Sequence, residues 1–273
     1  MDETEELILQ LAEGHKENPK KFISVIEKLI EKPPAPENEK GDLFLDVGLI
    51  LYDCSYFKLA EASWKHALKY FIKSKARAGE SACYANLGVI CCNSGEPDKA
   101  IEYHEKALEI MKEVFDRAGE SRCCTNLGNV YEDSGNFEKA IEYHEKALEI
   151  MKYLGSRTGE AKCCGNIGIA YERAGELTKA IECHEESLKI AKEEGDPIQE
   201  SAAYGNLGNA HSGSGDFNKA IELYEKALEI YKKLENEVGE YTCYVNLSAA
   251  YDGLGKPEKA EEYRRKALKM NES

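Results

Sequence analysis

The sequence predicts an all-α fold, a solenoid of stacked helix-turn-helix repeats, from three observations. A residue pattern recurs every 40 positions through most of the 273-residue chain without an insertion. Each copy holds two stretches in which apolar or small residues are three or four apart, the periodicity of amphipathic helices. A turn glycine separates the two stretches. One helix pair cannot bury its own apolar face, so we expect the copies to stack side by side.

The repeat is recognised by features that keep their spacing. An asparagine lies two positions before a small residue, as at Asn126 and Gly128. A second glycine, which is the turn glycine, lies seven residues after the small residue. The asparagines are Asn86, Asn126, Asn166, Asn206 and Asn246. The second glycines are Gly95, Gly135, Gly175, Gly215 and Gly255. We predict six copies, over residues 41–80, 81–120, 121–160, 161–200, 201–240 and 241–273. The first copy is degenerate and has Ser55 at the turn.

Each copy is predicted to form two helices that meet at the second glycine. In the copy 121–160, Gly135 provides the C-cap of the first helix, because glycine adopts the left-handed conformation without strain. Asn136 provides the N-cap of the second helix. Pro97 and Pro257 fall at the first position of the second helix in their copies, where a missing N–H leaves no hydrogen bond unmade.

Another helix pair is predicted ahead of the repeats, on both sides of Asn18-Pro19. Its apolar residues are Leu7, Ile8, Leu11, Phe22, Ile23, Ile26, Leu29 and Ile30. A stiff linker, Pro33-Pro34-Ala35-Pro36, follows it. We therefore divide the chain into an N-terminal helical pair with its linker, 1–36, and a repeat domain, 37–273. The pair either caps the first repeat or pivots independently, and we favour the cap.

Charge and hydropathy narrow the classes of partner. The 51 acidic residues exceed the 36 basic ones and give a net charge of −15, which repels nucleic acid and anionic lipid surfaces. No apolar run reaches the roughly 20 residues that a membrane span needs, and the acidic start of the chain does not resemble a secretory signal. We expect a cytoplasmic protein that binds neither nucleic acid nor membrane.

Among the ten cysteines and six histidines, the cysteines and the periodic histidines are predicted to pack rather than to react. The vicinal pair Cys91-Cys92 is the exception, because both side chains cannot face the core. Most of the cysteines recur with the 40-residue period, and no two form a C-x-x-C pair. One position holds a histidine in three copies, at His104, His144 and His184. Trp64 and Tyr224 take that position in other copies, so it selects a flat ring rather than a titratable group. We therefore expect no metal, no cofactor and no catalytic residue, and a chain that is not an enzyme.

The repeat resembles the tetratricopeptide repeat. In the copy 121–160, the signature positions of that family are filled by Leu127, Gly128, Tyr131, Ala140 and Ala147. The resemblance covers about residues 41–273. It departs in its period of 40 where the common repeat has about 34 residues. The longer unit and its N-L-G-N sequences, at 126–129 and 206–209, are similar to the repeats of the LGN/Pins adaptors.

The resemblance implies a concave groove that is lined by first helices, in which asparagines hold the main chain of a ligand peptide. A carboxamide offers one acceptor and two donors, so it can pair with either half of a peptide unit. The alternative is that each asparagine bonds only a neighbouring repeat. The expected peptide-binding residues are Asn86, Arg122, Asn126, Asn129, Lys162, Asn166, Arg173, Asn206, Asn209 and Asn246.

Two further expectations concern the groove. Arg77, Arg117 and Arg157 are expected in the loops before first helices, at the rim of the channel. Family members that bind chaperone tails have a lysine directly before the asparagine, whereas this chain has small or apolar residues there. They are Ala85, Thr125, Gly165, Gly205 and Val245. A chaperone C-terminal tail is therefore not the expected ligand.

Together these observations predict a right-handed α-solenoid of about six helix-turn-helix repeats of the tetratricopeptide type, with an N-terminal helical cap. We expect a monomeric scaffold or adaptor that binds a peptide or a partner protein in its concave groove. The alternative functions are a regulatory module that senses a peptide signal and a structural module that self-associates. Repeat scaffolds serve unrelated processes, so the fold does not name the partner.

Overall fold

The computed structural model describes residues 3–30 and 36–271, and all regular secondary structure in these ranges is α-helical. The helices are α1 (Glu3–His15), α2 (Pro19–Ile30), α3 (Glu37–Asp53), α4 (Phe57–Ser74), α5 (Arg77–Asn93), α6 (Pro97–Glu113), α7 (Arg117–Asp133), α8 (Phe137–Leu154), α9 (Arg157–Arg173), α10 (Leu177–Glu194), α11 (Pro197–Gly213), α12 (Phe217–Lys233), α13 (Glu237–Gly253) and α14 (Pro257–Asn271). The predicted all-α fold is confirmed. Most of the predicted linker, residues 33–35, lies outside the described ranges.

The turn inside each repeat forms as its glycine predicts. The five turn glycines have φ between 71° and 83°, and Ser55 adopts the same left-handed conformation at 65°. At one such turn, Gly135 N–H donates to the Glu132 carbonyl and Asn136 N–H to the Tyr131 carbonyl, which satisfies the open end of α7. The Asn136 side chain then accepts from Lys139 N–H and starts α8. α6 and α14 begin at Pro97 and Pro257, as predicted.

The chain divides into two compact units, residues 1–130 and 131–273, and the boundary falls within α7. In the first unit, α1 and α2 pack on α3 and α4 as a helical cap. Phe22 and Ile26 of α2 share one hydrophobic cluster with Phe44 and Trp64. At the edge of this contact, His66 Nε2 lies 2.8 Å from a carboxylate oxygen of Glu27. The shared apolar cluster and the polar contact at its edge hold α1 and α2 against α3 and α4.

In the second unit, each helix from α8 to α14 contacts the next along the chain. Towards its C-terminal end the core joins Leu207, Tyr224, Ala227, Leu247 and Tyr251, which come from α11, α12 and α13. Fully burying a leucine side chain contributes roughly 1.5–3 kcal/mol. The core is therefore continuous from one helix pair to the next, and packing within pairs and between pairs both contribute to it.

Within a helix pair, a glycine of the first helix lies directly against a ring of the second. A β-carbon at Gly168 would overlap the ring of His184, and one at Gly208 would overlap Tyr224. In the last repeat Ser248 replaces the glycine, and Arg264, which is exposed, replaces the ring. His104, His144 and His184 are almost completely buried, at 1%, 0% and 0% exposure. The position packs a flat ring, as the sequence predicts.

Candidate functional site

Four asparagines hold the same place near the middle of a first helix. They are Asn86 in α5, Asn126 in α7, Asn166 in α9 and Asn206 in α11. The residue that follows each asparagine is a buried leucine or isoleucine, which turns the asparagine away from the core. All four side chains are half-buried. Within residues 3–30 and 36–271, none of the four carboxamides has a hydrogen-bond partner.

The fifth asparagine behaves differently, because it bonds the preceding repeat. Asn246 Nδ2 donates to Asn209 Oδ1 at 3.3 Å, and the Tyr224 hydroxyl donates to the same oxygen at 2.8 Å. The interpretation of the asparagines as bonds between neighbouring repeats therefore applies at Asn246. The part played by Tyr224 was missed from the sequence, where it was grouped with the packing rings. The sequence feature that could have indicated this role is that the copy with Asn209 has a tyrosine, rather than a histidine, at the ring position.

The other predicted binding residues differ in how far they are paired. Asn129 and Lys162 are exposed. Arg122 is exposed too, and its guanidinium lies 3.8 Å from a carboxylate oxygen of Asp116. Arg173 donates to Glu132 Oε1 at 2.8 Å and to Asp133 Oδ1 at 3.1 Å. In the second unit, Lys162 is therefore the more available of the two predicted cations.

The contact between Arg173 and Glu132 favours the ionised form of the Glu132 carboxyl. Burial acts to raise the pKa of the Glu132 carboxyl, but the nearby His144 imidazole and the hydrogen bond from Arg173 outweigh burial and lower the pKa. The hydrogen bonds that Arg173 donates to Glu132 and to Asp133 raise the pKa of Arg173. Arg173 and Glu132 thus form a neutral pair that links α9 to the end of α7.

The expectation that Arg77, Arg117 and Arg157 lie in loops is wrong, because each is the first residue of a helix. At α9, the Ser156 side chain accepts from Gly159 N–H and begins the helix at Arg157. Arg157 then pairs with Glu160 one turn later, at 2.7 Å, and with Glu193 of α10, at 2.6 Å. Each of the three arginines forms an ion pair within its own helix or helix pair, so they do not form a free rim.

Two kinds of chemistry, metal binding and reaction of the buried thiols, can be compared with the described residues. No three His, Cys, Asp or Glu side chains among them are grouped so as to hold a metal ion. Burial raises the pKa of the Cys83 and Cys243 thiols to about 12, which disfavours the nucleophilic thiolate. Across the described part of the chain, every helix is too short or too polar to cross a bilayer.

Solved structures with the same fold include three that cover most of this chain. RapI in its apo form matches with a TM-score of 0.71 and 18% identity, over 93% of this chain and 92% of RapI. BtubC (BKLC) from P. vanneervenii matches with a TM-score of 0.66 and 23% identity, over 82% of this chain and 92% of BtubC. A Rap protein complexed with competence and sporulation factor matches with a TM-score of 0.65 and 16% identity, over 91% and 79% of the two chains. At these identities the likeness shows the fold alone.

No curated protein matches the sequence. The kinship with the LGN/Pins adaptors stays a prediction. A sequence model described as the tetratricopeptide repeat matches residues 42–113, 120–193 and 199–273, which is well over half of the chain. This match agrees with the helix pairs, the turn glycines and the small residues described above, and the chain belongs to the tetratricopeptide repeat family.

Proposed function

We propose that the chain is a protein–protein interaction scaffold, and that its first helices bind a peptide or a segment of a partner protein. The four unpartnered carboxamides carry this proposal, two in each unit. Asparagine is an unfavourable residue in the middle of a helix. A half-buried carboxamide without a partner adds the cost of incomplete hydrogen bonding. A ligand main chain, with its alternating donors and acceptors, would supply the missing bonds.

The space beside two of these asparagines supports close approach of a ligand backbone. Gly165 and Gly205 each stand one residue before an asparagine. A β-carbon at Gly205 would meet nothing within 4 Å, and one at Gly165 would meet only Ser187 Oγ at 3.8 Å. A mid-helix glycine is about 1 kcal/mol less favourable than alanine. Because packing does not require glycine at either place, the open space points to an approaching ligand.

The relatives are consistent with this role. One structural neighbour is a Rap protein in complex with competence and sporulation factor. Tetratricopeptide repeats carry no catalytic machinery as part of their repeat pattern, so the function depends on what their surfaces bind. Our proposal includes a concave binding groove, a monomeric chain, no enzymatic activity and a cytoplasmic location.

Peptides selected from a random dodecapeptide display library on the intact chain test the proposal. We expect the double variant Asn166→Ala, Asn206→Ala to bind the selected peptides at least about 5-fold more weakly by calorimetry, since each lost hydrogen bond contributes roughly 0.5–1.5 kcal/mol. Asn218→Ala is the matched control, because Asn218 is an exposed asparagine of the second helix α12. Circular dichroism confirms that both variants fold.

Two results would contradict the proposal. One is a double variant that binds the selected peptides as tightly as the unchanged chain. The other is a library from which no binding peptide is recovered.

A further inference from the structure

One polar network in the second unit is built around a buried phenol. Tyr224 is only 3% exposed, and its ring lies against Gly208 as the histidine rings lie against theirs. Unlike a histidine, it reaches past the glycine, so that its hydroxyl donates to Asn209 Oδ1 at 2.8 Å. The phenol hydrogen is therefore directed at Asn209.

These bonds fix which way two carboxamides point. Asn209 Oδ1 already accepts from Tyr224 and, at 3.3 Å, from Asn246 Nδ2. With both lone pairs of that oxygen used, Asn209 has only its two Nδ2 hydrogens to offer. Asn246 has given up one donor and keeps Oδ1 as an open acceptor. Both side chains are half-buried, on the neighbouring helices α11 and α13.

We propose that Tyr224, Asn209 and Asn246 form a polarised amide-reading site, in which Asn209 donates to a ligand carbonyl and Asn246 accepts from a ligand N–H. The ligand group is a main-chain peptide unit of the bound segment, since a secondary amide carries one acceptor and one donor. Tyr224 is a positioning residue that orients Asn209 before the ligand arrives. This inference rests on the proposed function, and it assigns a direction of hydrogen bonding to one repeat.

The combination of Asn209 and Tyr224 occurs in one of the five clear copies of the repeat. The positions equivalent to Asn209 hold Val89, Asn129, Ile169 and Ala249, and those equivalent to Tyr224 hold His104, His144, His184 and Arg264. Only the copy 201–240 has an asparagine together with a tyrosine. The two residues therefore supply a feature that the packing of the repeat does not require elsewhere.

The dodecapeptides selected on the intact chain provide the probe. Tyr224→Phe keeps the ring and removes the hydroxyl, and we expect it to weaken binding about 5-fold, the value of one typical hydrogen bond. Tyr224→His, which installs the residue of the sister repeats, is expected to have the same effect. Asn209→Asp replaces two donors by a charged acceptor and is expected to weaken binding by at least about 10-fold. Thermal denaturation shows whether each variant folds.

A backbone ester scan of the tightest peptide identifies the ligand group. Replacing one peptide bond at a time by an ester removes a single N–H donor, and we expect one position to lose about 5-fold in affinity. That loss should disappear in Asn246→Ala. If every ester is tolerated and only an asparagine or glutamine side chain of the peptide matters, the main-chain assignment is overturned.

The outcomes separate this inference from the proposed function. If Asn166→Ala, Asn206→Ala loses binding while Tyr224→Phe, Tyr224→His and Asn209→Asp all bind normally, the polarised site is refuted and the proposed function stands. If neither set of variants changes binding, or the library yields no peptide, both are refuted.

Discussion

Replacing Gly208 by alanine is expected to destabilise the protein by about 2 kcal/mol, whereas Gly205→Ala is expected to stabilise it by up to about 1 kcal/mol. The two glycines lie three residues apart in α11. A β-carbon at Gly208 would stand 2.5 Å from Cε1 of Tyr224, a ring that is buried and held by its bond to Asn209. A β-carbon at Gly205 would meet open space, so only the gain in helix propensity remains.

Urea denaturation of the two variants and the unchanged chain measures both effects under one set of conditions. The pair controls for helix propensity, because both changes are glycine to alanine in the same helix. Equal changes in stability at the two positions would contradict the packing of Gly208 against Tyr224. A destabilised Gly205→Ala would show that the space beside Asn206 is already filled.

Lowering the pH from 6.5 to 4 is expected to remove about 3 kcal/mol of stability through His104 alone. Burial lowers the pKa of His104 to about 4 in the folded chain, and its Nδ1 has no hydrogen-bond partner within the described residues. Well above pH 6.5 the imidazole is neutral in both the folded and the unfolded state, so it contributes no pH dependence there. Between pH 6.5 and 4 the unfolded chain binds a proton that the folded chain excludes, and stability falls with pH.

The matched variant is His104→Tyr, since Tyr224 fills the same position in another repeat. Denaturation at several pH values from 7 to 4 gives the slope of stability against pH for both proteins. Carboxyl groups contribute equally to both slopes, and any constant change in stability leaves the slope unaffected. We expect the variant to lose the uptake of about one proton on unfolding in this range. Identical slopes would contradict a buried neutral His104.

Much of the fold could be predicted because the repeat supplies its own comparison. One position of the repeat holds histidine at His104, tryptophan at Trp64 and tyrosine at Tyr224, and packing is the role that these rings share. The structure places each of the three rings against a glycine. Turn glycines and first-position prolines fixed the helix ends, because each acts through local backbone geometry. In the last repeat, Ser248 stands in place of the glycine and Arg264 in place of the ring, so both partners of this packing contact change together.

The hydrogen-bond partners at the site were harder to predict, because helical periodicity gives the direction of a side chain but not the groups that it contacts. Asn246 occupies the same place as Asn166, yet it donates to Asn209, which also accepts from Tyr224. Arg157 was expected in a loop because Gly155 and Gly159 flank it, whereas it is the first residue of α9, and its pairing with Glu193 spans two helices. Such contacts depend on side chains from neighbouring helices, which the spacing within one repeat does not encode.

The most direct test of the central claim is the nuclear magnetic resonance spectrum of the asparagine carboxamides, recorded on selectively ¹⁵N-asparagine-labelled protein as a selected peptide is added. Single alanine variants assign the resonances. We predict that the carboxamide signals of Asn166 and Asn206 shift on saturation, because they gain hydrogen bonds to the peptide, while that of Asn218 stays in place. Peptide binding that leaves the Asn166 and Asn206 signals unmoved would contradict the claim and would place the binding surface elsewhere on the chain.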